Sequence, residues 1–400
     1  MKKIETDYEK ALRVKGYGFE YKNHKCITVP QVECINETGR KIKTIVIHTL
    51  QEFITEIDKL SGKTLINTLF YRGHTDANWL LNPSALRGNC KTEHLLINEF
   101  RRRFPEKLQN CHSFMDELVL MQHYGLHTRC LDITENPLAG LYFACADFKK
   151  YSNGKNNKSK WGEIIVFHVD NDNIDDIKYS DSSTVSIIAN TAKMEEMFSL
   201  LQLEIAFKND NHFSSISNLI RFKDIICRSV IVRTKQDNPR IKNQNGAFII
   251  CNSNKITSIN GIDIPNEVIK CLYEKANGFN CNIDEAREII CSKRNIVFQS
   301  FLGPEFIKKV DSRDSDYWSF EFQKCQPYEK NENTSKILQN DPFDLDKLFY
   351  REDDKQIVFL IPPDCKNEIL KQLDRLNINE EYIYPDMDSV SNELNLRINA

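Results

Sequence analysis

Apolar residues recur along the chain at strand and helix periods in alternating blocks, which predicts a domain that mixes a sheet with flanking helices. Cys26–Val29 is a short β-prone run, Ile42–His48 alternates as a half-buried strand, and Thr49–Leu60 continues with helical spacing. Thr64–Tyr71 reads as a strand that runs into the polar stretch Arg72–Asn78, where Gly73 permits a turn or a close backbone approach. Helices are expected near Glu93–Phe104, with Leu95, Leu96, Phe100 and Phe104 on one face, and near Phe114–Tyr124. Ser113 and Asp116 make a capping box for the second helix, and Gly125 stands where a C′ glycine belongs.

A short strand, Thr128–Ile133, precedes Asn136-Pro137, an N-cap followed by a first-turn proline. The helix it opens, Pro137–Phe148, has no charge before Asp147 and should be buried. Further strands are expected at Gly162–Val169, Ser229–Arg233, Ala247–Cys251 and Gln356–Ile361. Pro362-Pro363, with Asp364 as N-cap, then opens a helix to Leu376, and Ile378–Tyr384 and a last helix follow. Weaker periodicity over 252–350 marks an insertion or small helical subdomain. The chain therefore divides into a lead-in (1–60), a core (61–251), the insertion (252–350) and a return to the core (351–400).

Composition narrows the function classes. The 400 residues are 40% hydrophobic and 28% charged, which excludes a disordered or fibrous chain. A net charge of −3 offers no global basic field for a polyanion. The first residues lack the apolar run of a secretory signal, and no stretch reaches the ~18 apolar residues of a membrane helix. The expected location is the cytoplasm, with no membrane partner. Thirteen cysteines without a C-x-x-C pair read as reduced thiols.

Known catalytic motifs are few. His123 and His127 have a zinc-compatible spacing, but Gly125 divides them and no third ligand is near, so no metal is expected. The sequence has no phosphate loop, no strand-linked G-x-G-x-x-G and no G-x-S-x-G. What it has is a density of polar residues at the ends of predicted elements: Arg72, His74, Asp76, Gln122, His123, Thr128, Arg129, Asp132 and Thr134. Singly, they read as a buried network in which Arg129 pairs with Asp132 and Arg72 with a carbonyl or carboxylate. Together, they read as the lining of a cleft.

Phe70-Tyr-Arg-Gly-His74, the run Leu120–Thr134 and Asn136-Pro-Leu-Ala-Gly-Leu-Tyr-Phe-Ala144 resemble the signature of FRG-domain proteins. The resemblance continues in Asn238–Phe248, in Ile361-Pro362 and in Leu376–Asp388, and so covers 64–250 and 356–395. The chain departs from the family at His127, Ile133, His74, Asn245 and Asn377, where Pro, Trp, Gln, Gln and Gly are usual. A weaker similarity links Tyr71-Arg-Gly, Leu141-Tyr-Phe-Ala, the strand at Gly162 and Asn379-Glu-Glu-Tyr-Ile-Tyr to ADP-ribosyltransferases.

These resemblances imply an α+β fold: an ADP-ribosyltransferase-like mixed sheet core with flanking helices and a largely helical insertion. They imply NAD as cofactor, with Arg72 on phosphate or ribose, Tyr142 as the nicotinamide wall and Glu380, on a strand, as the catalytic carboxylate. Gln244 or Asn245, at the start of another strand, competes with Glu380 for that position. Gly73, His74, Gln122, His123, Thr128, Arg129, Asp132 and Thr134 would line the cofactor site. The implied activity is transfer of ADP-ribose to a macromolecule, protein or nucleic acid, or NAD hydrolysis, in a toxin or phage-defence effector. The alternative is a non-catalytic nucleotide-binding or protein-interaction module.

Overall fold

A computed structural model of the chain describes residues 6–22, 25–27, 34–35, 41–61, 69–87, 92–146, 160–169, 177–199, 202–203, 225, 228–252, 254–259, 262–263, 320–324 and 345–385. In chain order the helices are α1 (Asp7–Val14), α2 (Leu50–Ser61), α3 (Glu93–Arg103), α4 (Phe114–His123), α5 (Pro137–Cys145), α6 (Ser183–Asn190), α7 (Pro239–Asn243), α8 (Lys366–Asp374) and α9 (Glu380–Ile383). The strands are β1 (Glu20–Lys22), β2 (Lys25–Ile27), β3 (Cys34–Ile35), β4 (Lys41–Val46), β5 (Leu69–His74), β6 (Cys130–Thr134), β7 (Gly162–His168) and β8 (Ile177–Tyr179). They continue as β9 (Met197–Ser199), β10 (Val230–Arg233), β11 (Gly246–Ile250), β12 (Asn254–Ile259), β13 (Ile262–Asp263), β14 (Phe320–Lys324), β15 (Arg351–Glu352) and β16 (Lys355–Ile361). No helix among the described residues is long and apolar enough to cross a membrane.

The main sheet has ten strands in the order β3-β4-β16-β7-β5-β6-β11-β10-β8, with β15 hairpinned onto β16. It is mixed: β4 with β16 and β8 with β10 run parallel, and the other pairs antiparallel. Mixed sheet and flanking helices agree with the α+β expectation. The described parts of 252–350 differ from the helical expectation, because β12, β13 and β14 form a small sheet with β9. Phe320 and Phe322 alternate with Glu321 and Gln323 there, a strand pattern too short to read against its neighbours.

Pairing register assigns every side chain to a face. Leu69 and Tyr71 share one face with Ile164, Val166, Ile357, Phe359 and Ile361, beneath α2, α5 and α8. At the β11–β10 end, α3, α4 and α6 cover the same face over Cys130, Phe248, Ile250, Val230 and Val232. Phe70, Arg72 and His74 lie on the opposite face with Ile165, Phe167, Glu163, Val358 and Leu360. α1, Leu86 and Phe349 close that side.

Local signals explain several element ends. Ser113 and Asp116 form the capping box of α4, Gly125 follows its C-cap at φ +83°, and Asn136 caps α5 ahead of Pro137. α8 is different: it begins after Cys365 with no side-chain cap, so Asp364 is not its N-cap. α3 also turns away from its expected face, since Glu93 and Ile97 are buried while Leu95, Leu96 and Phe104 are exposed. The ion pair of Glu93 described below holds it in that rotation.

α5 lies close enough to the sheet for backbone to meet backbone. A Cβ added to Gly73 would stand 2.1 Å from the Gly140 carbonyl oxygen and 2.7 Å from the Ala144 nitrogen. One added to Gly162 would stand 2.3 Å from the Ala144 oxygen. Only glycine fits between these backbones. Gly73→Ala is therefore expected to cost about 1–3 kcal/mol or more of stability by displacing α5. Gly18→Ala, with nothing within 4 Å of the new methyl group, should leave the urea midpoint nearly unchanged.

Candidate functional site

β5 and β6 are joined at a single bridge, Tyr71 with Thr134, although β5 pairs six residues with β7 and β6 five with β11. Past that bridge the two strands part, and Arg72 fills the gap. Its Nη1 donates to the Asp132 carbonyl oxygen at 2.5 Å, where a neighbouring strand would otherwise donate. Its Nε donates to His74 Nε2 at 2.9 Å. Nη2 bonds no described residue, and 15% of the side chain is exposed. Burial lowers the guanidinium pKa, the Asp132 carboxylate 3.9 Å away opposes that shift, and nearby Arg87 adds to it. The group stays charged, as arginine does in proteins.

His74 is anchored in turn. Because Nε2 accepts from Arg72, the ring proton sits on Nδ1, which donates to Glu163 Oε1 at 2.7 Å. Glu163 is fully buried and also accepts from Tyr17 Oη at 2.6 Å and Lys15 Nζ at 3.0 Å. Gly16, at φ +94°, turns the chain between those two donors so that both reach one carboxylate. Lys15 further donates to the carbonyls of Ala77 and Trp79 at 2.5 and 2.9 Å. Burial alone would raise the pKa of Glu163, but Lys15, His74 and Tyr17 outweigh it and hold the carboxyl below its ordinary value.

On the β6 side the Asp132 side chain is 64% exposed and accepts from Gln122 Nε2 at 2.7 Å. Thr128 Oγ1 donates to Gln122 Oε1, which fixes the orientation of the amide. Trp79, 46% exposed, stands edge-on to the His74 ring with centroids 6.0 Å apart. The Arg72 guanidinium thus stands between the Asp132 carboxylate, which pairs beside Phe248 on the α4 face, and the His74–Trp79 pair on the other.

Residues 67–153 match the family model of the FRG domain. The chain carries an FRG domain. No curated protein and no solved structure matches the chain. The FRG match spans β5 to α5 and contains Arg72, His74, Trp79, Gln122, Thr128 and Asp132, whereas Lys15, Tyr17 and Glu163 lie outside it.

Other residues read from the sequence are placed elsewhere. Tyr142 is buried on α5 with Leu69, Tyr71 and Ile164, across the sheet from Arg72, so the structure does not bring the two together. Glu380 is half-buried as the first residue of α9, where Asn379 caps the Tyr382 amide, so this segment is helix and not the expected strand. Gln244 caps α7 just before β11; its Nε2 donates to the Ile383 carbonyl at 2.9 Å, and its own carbonyl accepts from Thr134 Oγ1. With Asn243 Nδ2 on the Tyr382 carbonyl at 2.8 Å, this turn clamps α9. Asn245 adopts φ +46° and its side chain accepts from Gln236.

Within the FRG domain, Arg129 is fully buried and forms a two-pronged ion pair with Glu93, with Thr191 and Asn252 as further partners. The expected pairing of Arg129 with Asp132 is therefore replaced by one with Glu93. Gly73 serves the packing of α5, Thr134 ties β6 to the Gln244 turn, and His123 and His127 are exposed. His123 stands edge-on to Tyr124.

The sequence reading missed Glu163 and Trp79. A carboxylate inside the apolar run Gly162–Val169 was the available signal for the first, since an unpaired carboxylate is not stable in a core. Nothing in the sequence pattern marked Trp79.

Burial is the main cause that lowers His74 from its ordinary 6.5 to about 4, with Glu163 opposing and Arg72 assisting. Between those values the unfolded chain binds more protons, so stability falls as pH drops from 6.5 toward 4. The expected loss between pH 7 and 4.5 is roughly 2–3 kcal/mol from this residue. His74→Gln should remove that part of the difference between urea unfolding curves at the two pH values.

Proposed function

We propose that the FRG domain binds a nucleotide where β5 and β6 part. The observation that carries this reading is the guanidinium of Arg72, anchored through Nε and Nη1 while Nη2 has no protein partner among the described residues. A fork held in this way suits phosphate oxygens, which accept in its plane. The exposed indole of Trp79 offers a stacking surface for a base. Asp132, oriented by Gln122, accepts from ribose hydroxyls. Nucleotides carry all three groups.

NAD is the nucleotide that the sequence resemblance selects. A catalytic extension of the reading is favoured by Asp132, a carboxylate beside Arg72 that would stabilise the ribosyl cation formed as the nicotinamide bond breaks. On that extension the protein is a cytoplasmic ADP-ribosyltransferase or NAD glycohydrolase with a corresponding core. A macromolecular target, and a role as toxin or defence effector, belong to the same extension.

Calorimetric titration with NAD, ADP-ribose and AMP tests the reading. At least one should bind, and Arg72→Ala should weaken it about tenfold to a hundredfold, the size expected for a charge-assisted bond. Trp79→Ala should weaken it by about 1–3 kcal/mol through lost stacking. Folded wild-type protein that binds none of the three, or binds them equally well without Arg72, would rule the site out. Nicotinamide release that vanishes in Asp132→Asn would establish the enzyme.

A further inference from the structure

We infer that Lys15, Tyr17, Glu163 and His74 form a positioning relay for Arg72, so that ligand binding in the FRG domain is governed by residues outside it. The ligand readout of this inference rests on the nucleotide-binding reading above; its structural readout does not.

An arginine side chain has several free torsions, and one bond from Nη1 to the Asp132 carbonyl leaves the plane of the fork free to swing. The bond from Nε to His74 Nε2 fixes that plane. Nε can donate to His74 only while Nε2 is unprotonated, and it is the Glu163 carboxylate that draws the ring proton to Nδ1. Glu163, with no exposed surface, is a charged acceptor only because Lys15 and Tyr17 compensate it. Each link thus depends on the one before. The first link lies just after α1, and helix and segment are set down beside the FRG domain by their own contacts: Tyr8 Oη of α1 on Asp76 at 2.6 Å and Lys15 on the carbonyls of Ala77 and Trp79. Displacing Lys15 and Tyr17 would release Arg72 with no change of sequence inside the FRG domain.

A network that only stabilises the fold would change stability but not the state of Arg72, so the test reads that state directly. In the full chain labelled with 15N at arginine and histidine, His74 should show a protonated Nδ1 and a bare Nε2, and Arg72 a slowly exchanging Nε–H. Tyr17→Phe removes one bond to Glu163 and should speed exchange of that proton and raise the Kd for ADP-ribose about fivefold, the worth of one hydrogen bond. His74→Gln, whose amide can donate to Glu163 and accept from Arg72, should retain both properties, and His74→Leu should lose both. The relay is overturned if Tyr17→Phe leaves exchange and affinity at wild-type values, or if folded His74→Gln behaves as His74→Leu does. If none of NAD, ADP-ribose and AMP binds the wild-type chain, the nucleotide reading falls and Nε–H exchange alone decides the relay.

Discussion

The contact between α5 and the strands β5 and β7 is the constraint on which the rest of the arrangement depends. Gly73 and Gly162 bring helix and sheet backbones together at a spacing no side chain would allow. Since β5 pairs in strict alternation with β7, placing Gly73 beneath α5 sends Arg72 and His74 to the other face. Glu163, opposite His74 in the same register, goes with them. A packing requirement on one face therefore assembles the charged groups on the other. The glycine of the Tyr71-Arg72-Gly73 motif is structural, and its neighbour is sent to the other face by that placement.

Two buried ion clusters then divide the work. Glu93 and Arg129 tie α3 to β6 inside a closed environment with Thr191 and Asn252, which leaves no donor directed to solvent. Such a pair contributes little net stability but is costly to break, because either partner alone is an uncompensated buried charge. The cluster around Glu163 is open at one end: its last member, Arg72, keeps a donor edge and some exposure. The two networks differ in whether the final donor is satisfied among the described residues.

Much of the local structure was legible in the sequence because it is set by neighbours in the chain. The capping box at Ser113, the glycine at 125 and the Asn136-Pro137 start of α5 act over a few residues, and period and punctuation report them. The polar cluster was legible in part. Arg72, His74, Gln122, Thr128 and Asp132 do meet through hydrogen bonds, while Arg129 is drawn away by Glu93, 36 residues distant in the chain. That partner also explains the misjudged face of α3: burying a compensated charge at Glu93 rotates the helix and leaves Leu95, Leu96 and Phe104 outside. Pairings at such separations, like that of Glu163 with Lys15 across 148 residues, leave no periodic trace.

Face assignment is also where resemblance to short motifs is weakest. Tyr-Arg-Gly at 71–73 and Tyr-Phe-Ala at 142–144 suggest one site when matched as tripeptides, yet the register places Arg72 and the α5 helix of Tyr142 on opposite sides of one sheet. Residues adjacent in a strand point apart, so a motif fixes a chemical group only to within a choice of face. The aromatic group on the Arg72 side is Trp79, and the exposed carboxylate near its guanidinium is Asp132. Glu380 and Gln244 lie in the α9 clamp, where Gln244 already serves a backbone carbonyl. Of the groups around Arg72, His74 and Glu163 are placed by the packing of glycine on the other face.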